Sequence, residues 1–361
     1  MAFSKRLITH LFSRADIRVG GSRPWDIEVT DSRFFRTLLM RGSLGLGEAY
    51  MDRWWRVEDL EAFFYRCINS NLYQVSQSLP FHMRRRLLDR LNNQQNRNKS
   101  VRVAQRHYNL GNDLFFEFLG HYKNYSCGYF RDTDDLGQAQ LKKMQQICQE
   151  MTFKPGERVL DVGGGWGEIA RHVATNHECQ VTSINISDEQ ITHARRQCAG
   201  LPVEIKKLDY RDLNNSFDKI LVVAMLTHVG PKNYRVFMET LHRCLEPGGT
   251  VLIESVGSPT NKINCEPWTD KYIFPGGVIP SLRQIDRAID GLFTRERTAE
   301  FGDYYHLTMR AWHENFTRAW SQLQFRYPER VRLMFEYFFL SVAAAFRARS
   351  LLHWHIVLRK K

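Results

Sequence analysis

From Arg158 onward the chain alternates two kinds of hydrophobic pattern. Short runs rich in β-branched residues, RVLDV, QVTSIN, VEIKKL, FDKILVVAM and GTVLIESV, read as strands. Among them, WGEIARHVATN, DEQITHARRQCA and KNYRVFMETLHRCL return apolar residues at the spacing of an amphipathic helix. This alternation predicts an α/β fold, a mostly parallel sheet covered by helices on both faces. Ligands in such sheets sit beyond the carboxyl ends of the strands, near the switch point. The pattern changes near residue 100, before which FFRTLLMRGSLGLGEAYMDRWW and LEAFFYRCINSNLYQ read as helical. A small, mainly helical domain over residues 1–100 and an α/β domain over 101–361 are the expected division.

The stretch RVLDVGGGWGEIARHVA places Gly163, Gly164, Gly165 and Gly167 between the first strand and the first helix. Glycines there let the chain turn sharply and bring backbone amides close to a ligand with no Cβ in the way. A dinucleotide fingerprint fails, because the sixth position counted from Gly163 is Glu168. A phosphate-binding P-loop fails for want of a lysine. The nucleoside-methionine loop of S-adenosylmethionine methyltransferases remains, and Asp161 on the strand and LDYRDL after the third strand fit it. A purely structural turn is the competing reading, and the loop's place directly after the first strand argues against it.

Composition narrows the setting. With 43% hydrophobic and 25% charged residues in 361, the chain can bury one large core or two smaller ones. No apolar run approaches the roughly 20 residues of a membrane span, so a cytoplasmic protein is expected. The cysteines are scattered, with neither CxxC nor His/Cys metal spacing, which argues against a disulfide framework and a structural metal. A net charge of +12 favours an anionic partner: nucleic acid, an acidic metabolite or a membrane surface. Arg84, Arg85, Arg86, Arg90, Arg97, Lys99, Arg102 and Arg106 stand against the single acid Asp89. They form either a solvated helix face or a phosphate contact supported by the nearby Trp54, Trp55, Phe63, Phe64 and Tyr65.

Longer motifs add a resemblance. HYNLGNDLFFEFLGHYKNYSCGYF, the glycine loop, LDYRDL, HVGPKNY, EPWTDKYIFPGGVIPSLRQI and AAAFRARSLLHWHIVL occur in the order seen in cyclopropane-fatty-acyl-phospholipid synthases. The chain resembles that family over nearly its whole length. RGSLGLGEAYMDRWW looks like the small lipid-associated domain of the bacterial members, which the related mycolic acid methyltransferases lack. The resemblance implies a class I S-adenosylmethionine methyltransferase, Rossmann-like with a seven-stranded mostly parallel sheet. It also implies a peripheral enzyme at the inner membrane surface, acting on unsaturated acyl chains of anionic phospholipids, with no metal, no nucleic acid and a homodimeric state.

In that family the alkene itself attacks the sulfonium methyl, so no activated nucleophile is required. The carbocation left behind must be shielded from water and must lose a proton from the new methyl before the ring closes. The resemblance implies a bicarbonate ion as base, held by a cysteine, a glutamate, a histidine, a tyrosine and main-chain groups. Carried over, the cysteine is Cys127, the tyrosine is Tyr305, and a main-chain contact falls at Val256. Thr227 stands where the glutamate is expected, and Glu254 stands where the histidine is expected.

Three readings follow from that exchange. Glu254 accepts the bicarbonate hydroxyl while Thr227 supplies a neutral hydrogen bond; or Glu254 removes the proton itself; or the site yields a methyl-branched product. A nucleic-acid methyltransferase and a non-catalytic lipid-binding homologue are the alternatives from other classes. For the cofactor, the resemblance implies Tyr125 and Ser126 over the methionine moiety, Gly163 and Gly165 in the loop, Gln190 after the second strand, and Asp209 and Tyr210 near the adenine. Asn185 and Gly164 replace the threonine and cysteine usual in the family. His228 and His355 carry no assigned role.

Overall fold

The computed structural model describes residues 2–72, 111–263 and 265–361. These fall into two compact units. The basic run from Arg84 to Arg106 lies outside the described residues.

The described residues of the first unit are 2–72, 265–275 and 309–351. Its helices include Ala2–Arg14, Arg33–Met51, Leu60–Asn69, Pro267–Tyr272 and Glu329–Arg347. Asp59 starts the third by accepting a hydrogen bond from the Ala62 amide at 2.9 Å, satisfying a donor that the first turn leaves open. Gly42, at φ 54°, breaks the second helix into two segments. Large aromatic side chains fill the centre: Trp55, Phe34, Phe63 and Trp268 are at most 1% exposed, and the Tyr337 ring lies 4.4 Å from Trp268 and 4.9 Å from Phe64. Trp55, Phe63 and Phe64 therefore belong to a packed core, where their nonpolar area leaves water, and not to a lipid-facing or phosphate-facing patch.

The second unit, described over 111–263, 276–308 and 352–361, holds a seven-stranded sheet. Its strands are β1 (Arg158–Val162), β2 (Gln180–Asn185), β3 (Val203–Lys207), β4 (Phe217–Val223), β5 (Leu245–Gly257), β6 (Phe293–Glu300) and β7 (Leu352–Lys360). They run in the order β3-β2-β1-β4-β5-β7-β6. The first five run parallel to one another, and β7 is antiparallel to both β5 and β6. The order reverses between β1 and β4, so the glycine loop after β1 lies at the switch point. The strands read from β-branched runs are all present. β6 and β7 lie outside that reading: FTRERTAE is a polar edge strand, and LHWHIVLRK interleaves histidines with its apolar residues.

One face of the sheet packs Val159, Val181, Leu221, Leu252 and Val357 against Met144, Ile147, Met151, Ile169 and Val173 of helices Leu136–Met151 and Glu168–His177. The other face buries Leu160, Ile220, Val251, Ile356 and Leu358 against Phe237, Leu241 and Ile285. Alternate residues of each strand thus point to opposite faces. At the carboxyl end of β5 the first face carries Glu254 and, across the antiparallel pairing, His355 opposite Glu254 and His353 opposite Val256.

Candidate active site

The glycine loop after β1, the expected cofactor loop, is built on backbone that only glycine adopts readily. Gly163 and Gly165 have φ of 82° and 55°, in the left-handed region where a side chain is strained. A Cβ on Gly165 would meet nothing within 4 Å, so open space lies beside the loop. Asn185, at the end of β2, borders it: its amide donates to the Gly165 carbonyl at 3.2 Å and to Gln190 Oε1 at 2.9 Å. Asn185, Gln190 and Gly165 are therefore one hydrogen-bonded group, and Gln190 is buried. The open backbone with this polar border fits S-adenosylmethionine.

Gly164 is packed differently. A Cβ there would lie 1.9 Å from Ser183 Oγ and 2.2 Å from Asp161 Oδ2. Ser183 and Asp161 face each other across β1 and β2, and the hydroxyl donates to the carboxylate at 2.9 Å. This pair occupies the room that a side chain at Gly164 would need, so glycine is the residue that fits here. Burial drives the Asp161 carboxyl up to about 6, although the Ser183 hydrogen bond and the Lys143 charge pull the other way.

Asp209 and Tyr210 form the turn after β3. The Asp209 carboxylate accepts from the Arg211 amide and guanidinium, and the buried Tyr210 ring packs edge-on against Phe237 at 4.9 Å. Tyr125 packs against Phe115 and Phe118. Ser126 is buried, and its hydroxyl accepts from Lys143 Nζ at 2.8 Å while its carbonyl accepts from Gln140 at 2.9 Å. Helix Leu136–Met151 starts from the Asp135 cap and presents Gln140, Lys143 and Glu150 at helical spacing toward the sheet.

Glu254 is fully buried. His353 Nε2 lies 3.2 Å from Glu254 Oε1, and His355 Nε2 lies 3.8 Å from Glu254 Oε2. Burial favours the protonated acid, but the Lys143 charge and the two histidines outweigh it and hold Glu254 near 2. It is a carboxylate throughout the neutral range. Lys143 is pulled below its usual value by burial, against the charges of Glu254, Cys127 and Asp161. One ammonium group thus couples Asp161 beside the glycine loop to Glu254 on β5.

Cys127 and Tyr305 complete this region. Cys127 is 2% exposed, with its sulfur 3.9 Å from Thr308 Oγ1. The Tyr305 ring lies 5.2 Å from His353. Burial and the charge of Glu254 raise both the thiol and the phenol well above their ordinary values. Each therefore stays neutral and able to donate a hydrogen bond. Val256 follows Glu254 by two residues on the same face of β5. Thr227 sits in the turn after β4, where its carbonyl accepts from the Val278 amide at 2.8 Å. Neighbouring His228 is held neutral by burial, down to about 4.

The group that gathers around Glu254 contains residues that the motifs did not assign. His353 is the histidine beside the displaced carboxylate, and it comes from β7. His355, Glu150, Lys143 and Thr308 also went unassigned. A signal was present: in LHWHIVL the two histidines alternate with Trp354, so a strand there puts both on one face.

Comparison with known proteins agrees with this architecture. The family profile described as "Mycolic acid cyclopropane synthetase" matches residues 95–356. The cyclopropane-fatty-acyl-phospholipid synthase of Escherichia coli (strain K12) is 42% identical over 355 residues, covering 98% of this chain and 92% of the relative. The tuberculostearic acid methyltransferase of Mycobacterium tuberculosis (strain ATCC 25618 / H37Rv) is 31% identical over 308 residues, covering 78% of this chain and 70% of the relative. Among solved structures, a cyclopropane synthase from Mycobacterium tuberculosis matches with a TM-score of 0.68 at 23% identity, over 72% of this chain and 98% of its own. That likeness identifies the fold as class I, Rossmann-like. The chain belongs to the mycolic acid cyclopropane synthetase family and is an S-adenosylmethionine-dependent enzyme of the cyclopropane-fatty-acyl-phospholipid synthase type.

Proposed function

We propose that this enzyme adds a methylene group across the cis double bond of unsaturated acyl chains in membrane phospholipids, and that Glu254 is the group that takes up the released proton. The observation that carries the reading is the buried, ionised Glu254 set among His353, Cys127 and Tyr305. Bound S-adenosylmethionine supplies the one-carbon unit as an electrophilic sulfonium methyl. The chain's own residues then have two tasks: to keep water from the cationic acyl chain and to receive a proton from the new methyl group.

A carbocation makes the adjacent methyl strongly acidic, so a weak base suffices provided it is ionised and dry. Glu254 meets both conditions. Its Oε2 has no hydrogen-bond partner, which leaves lone pairs for the proton or for the hydroxyl of a bicarbonate ion lying between it and the lipid. Cys127, Tyr305 and the main chain at Val256 supply neutral donors for that ion. Thr227 completes the wall in this reading.

The enzyme works at the inner face of the membrane as a homodimer in this reading. Among the described residues no helix is long and apolar enough to cross a membrane, and the first unit exposes Phe3 and Phe325. A second reading, a methylated product without a ring, is favoured by similarity to the tuberculostearic acid methyltransferase. The test is incubation with labelled S-adenosylmethionine and liposomes of unsaturated anionic phospholipid, with and without bicarbonate, followed by mass spectrometry of the fatty esters. A cyclopropane ester supports the proposal, and dependence on bicarbonate assigns the ion. A branched ester establishes the second reading, and no lipid product overturns both.

A further inference from the structure

We infer that Lys143 is a positioning residue for this reaction, its one ammonium group tying down the segment 125–129 and holding Glu254 as the anion; the inference rests on the function proposed above. Among the described residues Lys143 is the only lysine or arginine that is buried, at 2% exposure. A buried cation is costly unless it is paired, so its neighbours show what it serves. Helix Leu136–Met151 lays Met144 and Ile147 over Val159 of β1 and Leu252 of β5. Asp161 and Glu254 follow two residues further along those strands, on the same face. β4 runs between them, with Leu221 opposite Asp161 and Val223 opposite Glu254. Lys143, beside Met144 on the covering helix, is the cation this topology offers to both acids, and both act on it electrostatically.

The segment 125–129 carries no helix or strand of its own, so bonds from outside set its position. Lys143 Nζ donates to Ser126 Oγ at 2.8 Å, and Gln140 donates to the Ser126 carbonyl at 2.9 Å. The Ala139 carbonyl accepts from the Tyr129 amide at 2.8 Å. From the other side, Thr308 Oγ1 accepts from the Gly128 amide at 2.9 Å. The anchored serine is flanked by Tyr125, expected over the methionine moiety, and by Cys127, which feels the charge of Glu254. Lys143 therefore touches the cofactor side of the site through a hydrogen bond and the acid side through its charge.

That charge acts on a pair. It favours the Glu254 carboxylate and opposes a second cation on His353, which burial already holds below its ordinary value. With the ammonium in place the pair is a carboxylate and a neutral imidazole. Without it, the pair takes up a proton at higher pH, shared between two groups 3.2 Å apart. The other charged or titratable groups facing Lys143 and the pair are Asp161 on β1, Glu168 and His172 on helix Glu168–His177, His355 on β7, Cys127 and Tyr305. A base that must be ionised when the carbocation forms depends on this balance.

Two variants separate the two tasks. Lys143→Gln removes the charge and keeps a donor for Ser126, whereas Ser126→Ala removes the hydrogen bond and keeps the charge. In Lys143→Gln the acid limb of kcat/KM for the lipid should move up by about one pH unit or more. The His353 ring signal, followed by NMR of histidine-labelled protein and assigned by its loss in His353→Gln, should titrate with the same upward shift. In Ser126→Ala that titration should stay in place, while affinity for S-adenosylmethionine, read by calorimetry, falls by about tenfold. Neutralising the partner acid as well relieves the imbalance, so Lys143→Gln/Glu254→Gln should unfold at a higher denaturant concentration than Lys143→Gln alone.

An acid limb and a His353 titration that stay at their wild-type positions in Lys143→Gln would overturn the inference, and a lowered Tm with both unmoved marks a merely structural lysine. Unchanged cofactor affinity in Ser126→Ala overturns the hold on segment 125–129. Should Lys143→Gln fail to fold, the double variant decides: folding restored with the second substitution supports the charge pairing, and failure of both overturns it. The wild-type product is read separately. If no cyclopropane ester forms, the proposed function fails, and the role of Lys143 in it fails too even where the titration moves. If the ester forms and the titration does not move, only the role of Lys143 fails.

Discussion

His353 Nε2 stands 3.2 Å from Glu254 Oε1, two side chains on neighbouring strands that are each at most 2% exposed. The carboxylate sits on β5 and the imidazole on β7. A carboxylate and a histidine therefore meet here even though Thr227 and Glu254 stand where the family is expected to carry glutamate and histidine. What the motifs present as a carboxylate moved to the histidine position is, in three dimensions, a carboxylate–histidine pair in which Glu254 lies on β5 and the histidine, His353, comes from the neighbouring β7.

Replacing Glu254 with glutamine tests the role of that pair. The variant keeps the size of the side chain and a hydrogen-bonding partner for His353 but removes the ionised group. Lipid turnover is expected to drop by about a hundredfold or more, the usual scale for removing a proton-transfer group. Affinity for S-adenosylmethionine, read by calorimetry, should change by less than about threefold, because Glu254 lies outside the Gly165–Asn185–Gln190 group. Retained lipid turnover would remove Glu254 from both the base and the ion-binding roles.

Gly164 gives a test of the cofactor loop. Gly164→Ala drives a Cβ into the Ser183 hydroxyl and the Asp161 carboxylate, and cofactor affinity should fall by about tenfold, the equivalent of ~1.4 kcal/mol. Ser183→Ala clears the nearer contact. In the Gly164→Ala background it should recover part of the loss, which a double-mutant cycle of cofactor titrations would measure. Additive losses would mean that the Ser183–Asp161 pair does not dictate glycine at this position.

The buried acids predict opposite pH dependences of stability. Asp161, raised to about 6 in the folded protein from an ordinary value of 3.8, binds protons more tightly folded than unfolded. Its contribution is fully present below about 4 and is lost as pH rises through about 6, about 3 kcal/mol in all. Glu254, lowered from 4.5 to about 2, contributes stability that is present above about 4.5 and disappears as pH falls toward 2. Between pH 4 and 7, unfolding free energies of Asp161→Asn relative to the wild type should move in favour of asparagine by about 3 kcal/mol. A constant difference would count against the raised carboxyl.

The first unit has its own close approach. A Cβ on Gly47 would stand 2.3 Å from the indole of Trp268, which is buried and in contact with Tyr337 and Tyr272. Gly47→Ala should destabilise this unit by about 1–3 kcal/mol through overpacking, seen as an earlier denaturant midpoint by tryptophan fluorescence. Nearby, Lys271, Tyr272 and Arg41 surround the buried carboxylate of Glu48, so Glu48→Ala should be worse than Gly47→Ala, leaving cations without their partner.

By itself the sequence determined the parallel core of the sheet and the glycine loop at its switch point, while the grouping of Cys127, Glu254 and Tyr305 entered as what the resemblance carried by the long motifs implies. These were legible because β-branched runs, glycine's freedom at positive φ and long motifs are properties of contiguous residues. The tertiary structure alone decided what meets Glu254. His353, His355, Glu150 and Lys143 are spread over more than two hundred positions, and they converge only because β7 inserts antiparallel beside β5 while helix Leu136–Met151 packs over that face. It also decided that segments 265–275 and 309–351 join residues 2–72 in one unit, and that Trp55, Phe63 and Phe64 are core. Burial and charge pairing depend on which strands become neighbours, and that depends on the hydrogen-bond order of the sheet and the packing of side chains distant in sequence.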